Sequence, residues 1–267
     1  MQETTAATTR IATWNVNSLR VRLPQVLQWL ESNPVDILAL QETKLNDPDF
    51  PIDAIAEAGY QVVFSGQKAY NGVAILSRQA ATDVLTDVPG LDDPQRRFLA
   101  ATFDNLHVVN LYVPNGESPE SDKYAYKLNW LEHVHRYIED ALSRYARVVV
   151  VGDFNIAPDD RDVYDPEAWQ DRILCTTAER AAFQGLLESG LLDTFRHFTE
   201  DGGHFSWWDY RAAAFRRRMG LRIDLILSSR PLIECCRECI IDPEPRGWER
   251  PSDHTPVVAG YTLGTES

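Results

Sequence analysis

The chain is short of positive charge. In 267 residues it carries 26 Lys and Arg against 40 Asp and Glu, a net charge of −14 and an isoelectric point near 4.8. That balance argues against a protein that coats nucleic acid, because non-specific binding draws on basic side chains that neutralise phosphates. It leaves room for a local cleft, since net charge describes the whole surface. No apolar run approaches the ~18 residues needed to cross a bilayer, and the N-terminus has none of the apolar character of a signal peptide or anchor. No membrane partner is therefore expected. The middle of the chain has no Ser/Gly tract, no long charge block and no fixed-period repeat, which predicts one domain over residues 10–263. Only Met1 to Thr9, small, polar and aperiodic, are expected to be unstructured. Cysteine is scarce: Cys175, and a C-C-x-x-C cluster of Cys235, Cys236 and Cys239. Structural zinc needs a fourth ligand, and none is obvious nearby. The cysteines read as small hydrophobes kept reduced in a cytoplasmic protein.

What is present is a mixed pattern. Arg10 to Val16 reads as a strand, and residues 19–31 carry Leu19, Leu23, Val26, Leu27 and Leu30 at helical spacing. The apolar run Val35 to Leu40 suits a strand covered on both faces. Further strands are predicted at 61–65, 73–77, 98–103, 107–113, 147–152, 222–228 and 256–261. Helices are predicted at about 120–145 and 178–189, the second with Thr176 and Thr177 as candidate caps. Several strands follow one another without helices between them, so the sheets are mixed and not a strict β-α-β alternation.

Polar residues stand where these strands end. In Trp14-Asn15-Val16-Asn17, alternation puts Asn15 and Asn17 on one face, although Asn17 also reads as a turn opener. Glu42, in Leu40-Gln41-Glu42-Thr43-Lys44, follows a buried strand where an unpaired charge is costly; a hard cation or solvent would satisfy it. Four valines run into Gly152-Asp153-Phe154-Asn155, and Gly152 permits close approach while Asp153 and Asn155 project on one side. A carboxylate and an amide so placed can hold an attacking water and a phosphate oxygen. Asp224 lies inside the apolar strand Arg222 to Leu227 and needs a partner. His254, in Ser252-Asp253-His254-Thr255-Pro256, could be that partner, its tautomer fixed by the acid. Tyr112 and Asn115, in Tyr112-Val113-Pro114-Asn115-Gly116, read equally as a strand residue and a turn. Basic residues cluster as Arg20 with Arg22, Arg96 with Arg97, and Arg216-Arg217-Arg218; each alone reads as a solvated loop.

Taken together, W-N-V-N-S, L-Q-E-T-K, Y-V-P-N-G, G-D-F-N, R-I-D-L-I-L and S-D-H-T-P stand in the order found in the exonuclease III branch of the endonuclease/exonuclease/phosphatase superfamily. The chain resembles that branch from Arg10 to Tyr261. The resemblance implies an α/β fold, the four-layer α/β/β/α sandwich of deoxyribonuclease I. It also implies a DNA-repair hydrolase that cuts beside base-less sites and trims 3′ ends, acting as a monomer on double-stranded DNA with Mg2+ or Mn2+. It makes Glu42 the metal carboxylate, with Asn15 and Asp253 close to the metal and its waters. Asp153 would orient or deprotonate the water, and Asn155 would hold the phosphate. His254, supported by Asp224, would bind a phosphoryl oxygen, while Tyr112 and Asn115 would contact the scissile phosphate. Some relatives have Asp at the position of Asn17, so no strong metal role is implied for it. The segment Phe205 to Arg211 resembles the loop around an extruded base-less sugar, with Trp207 and Leu221 as its apolar walls. Arg216, Arg217 and Arg218 then fall beside that pocket, where DNA backbone would pass.

Two other readings compete. A phosphoesterase of the same superfamily acting on a lipid headgroup would share the metal and histidine but lack the aromatic segment and Y-V-P-N-G. A non-catalytic nucleic-acid-binding member would have lost one of Glu42, Asp153, Asn155, Asp224 or His254, and all five are present.

Overall fold

A computed structural model describes residues 8–263. The chain begins with β1 (Thr8–Asn15), α1 (Leu19–Ser32), β2 (Ile37–Gln41), α2 (Ile52–Glu57), β3 (Gln61–Ser65) and β4 (Val73–Ser77). It continues through β5 (Thr82–Leu85), β6 (Phe98–Phe103), β7 (Leu106–Tyr112), α3 (Asp122–Arg144) and β8 (Arg147–Asp153). Then come α4 (Pro166–Trp169), α5 (Thr177–Glu188), β9 (Leu191–Asp193), the short pair β10 (Trp207–Trp208) and β11 (Gly220–Leu221), and β12 (Asp224–Ser229). The last elements are α6 (Arg230–Ile233), β13 (Cys236–Ile241) and β14 (Val257–Thr262).

These strands form two six-stranded sheets, ordered β13-β14-β1-β2-β4-β3 and β5-β6-β7-β8-β12-β9. Each sheet has one parallel pair, β1 with β2 and β7 with β8. A parallel pair needs a crossover, and α1 and α3 supply it. The four carboxyl ends of these parallel strands deliver Asn15, Glu42, Tyr112 and Asp153.

Period-two alternation sorts the apolar residues into layers. Ile37 and Ala39 of β2 pack with Val149 and Val151 of β8 between the sheets. Leu38 and Leu40 pack instead with Val26, Trp29 and Leu30 of α1. Val148 and Val150 pack with Trp130, Val134 and Ile138 of α3 and with Phe183 of α5. The order helix, sheet, sheet, helix is the four-layer α/β/β/α sandwich that the resemblance implies. Thr176 caps α5 with its hydroxyl and closes a capping box with Glu179.

Buried polar groups bridge the two sheets, among them the Ser228–Tyr261 hydroxyl pair and a carboxamide. Asn110 of β7 is fully buried and donates to the carbonyls of Leu40 (3.0 Å) and Ala74 (2.9 Å) on the other sheet. Its own oxygen accepts from Gln41, which also donates to Thr13.

One sequence expectation changes. Thr8 and Thr9 are not part of an unstructured tail but the first residues of β1, held by pairing with Thr262 and Tyr261 of β14. That pairing joins residues too distant in the chain for local composition to signal. Residues 1–7 lie outside the described residues. The cysteine cluster, in turn, lies at β13 and the residue before it, with Cys236 and Cys239 buried in the core between the sheets. Among the described residues no helix is long and apolar enough to cross a membrane.

Gly152 shows how tightly β7 and β8 meet. Its φ is 142°, and a Cβ there would lie 1.9 Å from the carbonyl oxygen of Leu111. Gly152→Ala should therefore destabilise the fold by about 3 kcal/mol or more, because strand backbones on both sides must shift. Urea denaturation measures this directly, and an unchanged midpoint would show that the strands part at no cost.

Candidate active site

The strand ends converge at one edge of the sandwich. β12 starts at Asp224, which the register sets directly opposite Asp153 of β8, and Tyr112 of β7 lies opposite Asp153 on its other side. From the first sheet, Asn15 ends β1 and Glu42 follows β2. Asn15 is fully buried and its amide bridges the sheets, donating to Glu42 Oε1 and to Asp153 Oδ2, both at 2.9 Å. Asn155, at φ 48°, turns back so that its backbone N–H and its amide reach the two oxygens of Asp153, at 2.9 and 3.1 Å. Asn115 donates to Asn155 Oδ1 at 3.2 Å.

His254 sits behind this group. Its Nδ1 lies 2.9 Å from Asp224 Oδ2, and its Nε2 faces Asp153 Oδ2 at 3.8 Å. Asp224 is itself held by the hydroxyl of Ser206 at 2.6 Å, while that oxygen accepts the N–H groups of Ile223 and Asp224. Burial works against a charged imidazolium, but Asp224 and Asp153 outweigh it and raise His254 to about 10. The ring is thus a cation at neutral pH, and its Nε2–H is aimed into the cleft as a donor. Asp153 is raised in turn, chiefly by burial and by the neighbouring carboxylates Asp224 and Glu42, with His254 opposing. A carboxyl so placed can take a proton at ordinary pH.

Glu42 differs. Burial alone would raise it, but Lys44 at 2.8 Å and the amide of Asn15 hold it below its ordinary value, so it stays an anion. Lys44 also donates to Asn17 Oδ1 at 2.6 Å. Burial and the adjacent Glu42 push Tyr112 well above the usual phenol range, leaving it a hydrogen-bond donor. The guanidinium of Arg97 stacks 4.5 Å from the Tyr112 ring. Glu42, Asp153 and His254 offer ligand atoms within 4.8 Å of one another, and they form the one such group among the described residues.

Asp253 stands apart from that group. Its oxygens accept from Asn17 Nδ2 and from the indole of Trp207, both at 3.0 Å. Asn17 has left the strand with φ 42°, yet its side chain joins Lys44, Asp253 and Tyr210 along the rim. Trp207 is half-buried and pairs with Leu221, which is fully buried and so backs the indole without forming free surface. Trp208 points into a separate cluster with Phe205 and Ala214, as expected of a core residue. Arg216, Arg217 and Arg218 are all exposed, and their guanidiniums make no hydrogen bond or ion pair to other described residues. The other basic clusters are largely occupied: Arg22 holds the carbonyls of Asn17 and Pro251, and Arg96 pairs with Asp87.

Three contributors carry no role in the sequence reading. Lys44 was visible inside L-Q-E-T-K, and Arg97 as a basic residue beside a strand. Ser206 offered no signal beyond its place in the aromatic segment.

The charge on His254 makes stability depend on pH. Its folded value lies above the ordinary 6.5, so its contribution is full below that pH and is lost as pH rises through about 10. The stability gap between the protein and His254→Gln should therefore be widest near pH 6 and narrow towards pH 10. Urea midpoints across that range test it, and a constant gap would mean the ring is neutral in the fold.

Comparison with known proteins places this geometry. The sequence profile of the Endonuclease/Exonuclease/phosphatase family matches residues 12–254. Exodeoxyribonuclease III of Haemophilus influenzae is 34% identical, over 94% of this chain and 99% of its own. Among solved structures, the 3′ phosphatase NExo from Neisseria, bound to a product DNA hairpin, is 48% identical with a TM-score of 0.94, covering 95% of this chain and 99% of that one. An AP endonuclease from Archaeoglobus fulgidus is 39% identical with a TM-score of 0.92, covering 96% and 100%.

Proposed function

The chain belongs to the endonuclease/exonuclease/phosphatase family, and from that membership we propose that it is a DNA-repair phosphodiesterase, incising DNA at base-less sites and removing nucleotides or blocking groups from 3′ ends by metal-dependent hydrolysis. The observation that carries this reading is the unbroken chain Glu42–Asn15–Asp153–His254–Asp224, drawn from both sheets within contact distance at one edge. One catalytic domain takes in the described residues, 8–263, with β1 beginning at Thr8.

The donor set suits a hard divalent cation, Mg2+ or Mn2+. Such ions favour carboxylate oxygen, and Glu42 supplies one at the end of a buried strand, held as an anion by Lys44 and Asn15. Glu42 would hold the ion, with Asn15 and Asp253 near its waters. Bound there, the ion supplies positive charge to the phosphate oxygens as negative charge builds on them.

The remaining work falls to side chains. Asp153 orients a water and takes its proton as the water oxygen bonds to phosphorus and the ester P–O bond breaks. The amide of Asn155 and the Nε2–H of His254 meet the non-bridging oxygens, and Tyr112 and Asn115 hold the same phosphate. Asp224, steadied by Ser206, keeps the His254 ring charged and aligned. Trp207, backed by Leu221, walls a pocket for an extruded base-less sugar, a nucleotide that costs little to flip because it has no base to unstack. Arg216, Arg217 and Arg218 contact the DNA backbone, which their freedom from partners supports. The site is complete within one chain, which supports a monomer acting on double-stranded DNA. The four cysteines are free thiols, in keeping with a cytoplasmic setting.

A duplex with one tetrahydrofuran site and a labelled 3′ end tests the reading, since it separates incision from end-trimming. Cleavage should require divalent metal and should collapse in Glu42→Ala with the fold retained. Asp153→Asn should lower kcat by about a hundredfold or more while DNA still binds. Near-normal rates for Glu42→Ala at limiting Mg2+ would overturn the metal assignment.

The arginines make a separate prediction. With all three replaced by alanine, affinity should fall and its salt dependence should become shallower by about one unit of slope for each phosphate no longer neutralised. Binding measured across a salt series decides this; parallel lines would mean that these arginines do not meet the backbone.

A further inference from the structure

Lys127 lies in α3, away from the cleft, with its side chain fully buried. An ammonium in such a place must be paired and must have each of its three protons accepted. The partners are Glu179 Oε1 at 2.5 Å, the backbone carbonyl of Asn155 at 2.7 Å and the backbone carbonyl of Asn115 at 3.1 Å. Glu179 is equally buried and is fixed by its own neighbours. Its Oε1 accepts from the Leu174 N–H, and its Oε2 from the N–H and hydroxyl of Thr176 at the start of α5.

A pair that served only to join α3 to α5 would need neither carbonyl. Two of the three protons go instead to the peptide groups of the two asparagines that face the phosphate. Both peptides need holding. Asn155 sits at φ 48° and Asn115 precedes Gly116 at φ 93°, conformations that local sequence does not enforce. Their side chains also bond to each other, so an error in one is passed to the other.

We propose that Lys127 is a positioning residue for the hydrolysis: its ammonium, anchored by Glu179, clamps the carbonyls of Asn115 and Asn155 and so sets where their amides meet the phosphate. This rests on the assignment of those two asparagines to the phosphate made above. Lys127 touches no substrate, and its effect passes entirely through them. Misplacement by about 1 Å at a reacting centre can cost a hundredfold in rate, so the clamp should appear in kcat more than in binding.

Lys127→Met alone would leave the Glu179 carboxylate buried without its cation and risks unfolding. The informative pair is Lys127→Met with Glu179→Gln, which removes both charges, against Glu179→Asp alone, which disturbs the same α3–α5 junction but keeps a carboxylate for the ammonium and so both carbonyl bonds. The double variant should lose at least about tenfold in kcat with KM changed less than about threefold, while Glu179→Asp keeps most of its turnover. Hydrogen exchange gives a readout independent of turnover: residues 113–117 and 154–157 should exchange faster in the double variant, with β8 still protected. Normal kcat in the double variant, equal losses in both variants, or unchanged exchange in those segments would each overturn the inference. Wild-type cleavage of the same duplex reports separately on the site assignment itself.

Discussion

Two sheets packed through aliphatic side chains can slide, because hydrophobic contact is strong but non-directional. The carboxamide of Asn110 removes that freedom. Its two N–H groups are spent on carbonyls of the opposite sheet, one from β2 and one from β4, with Gln41 completing the set. Each of these groups left unsatisfied in the core would cost about 1–3 kcal/mol, so a slide between sheets is opposed by direction as well as by contact. The constraint matters because the cleft is shared. Asn15 and Glu42 come from one sheet, Tyr112, Asp153 and Asp224 from the other, and the distances between them are inter-sheet distances.

Within the cleft, charge is arranged by contrast. Three carboxylates lie close together and are driven apart in character by their partners. Glu42 is kept ionised by Lys44 and Asn15, Asp153 is raised by burial and its acidic neighbours, and Asp224 faces a histidine that it holds protonated. Groups of one chemical type thus present an anion, a proton acceptor and a cation's support. Under the proposed function, a protein of net charge −14 acts on a polyanion because such local partners, and not the surface as a whole, set the field in the cleft.

The long, strongly patterned elements were legible in the sequence. The four valines before Gly152 have to alternate between two apolar layers, and they do; α1, α3 and α5 follow their apolar spacing closely. Glu42, Asp153 and Asp224 stood out because a carboxylate in or after a buried strand needs a reason, and the pairing of Asp224 with His254 followed from that need. What escaped was non-local. Thr8 and Thr9 are ordered by β14, and β9, β10 and β11 are too short to carry a period. Ser206 and Lys127 have no distinguishing pattern at all: each is defined by partners brought near only by the finished fold.

One neighbour of β1 in the first sheet is β14, the last strand among the described residues. His254 and Asp253 precede that strand, and Asn15 ends the first. During synthesis β1 must therefore wait, with one edge unpaired, until β14 has emerged, and such edges invite pairing with other chains. A prematurely ended chain stopping short of residue 254 would lack both β14 and the histidine. The open edge of β1 and the missing partner of Asp224 would thus arise together, two defects from the loss of one segment.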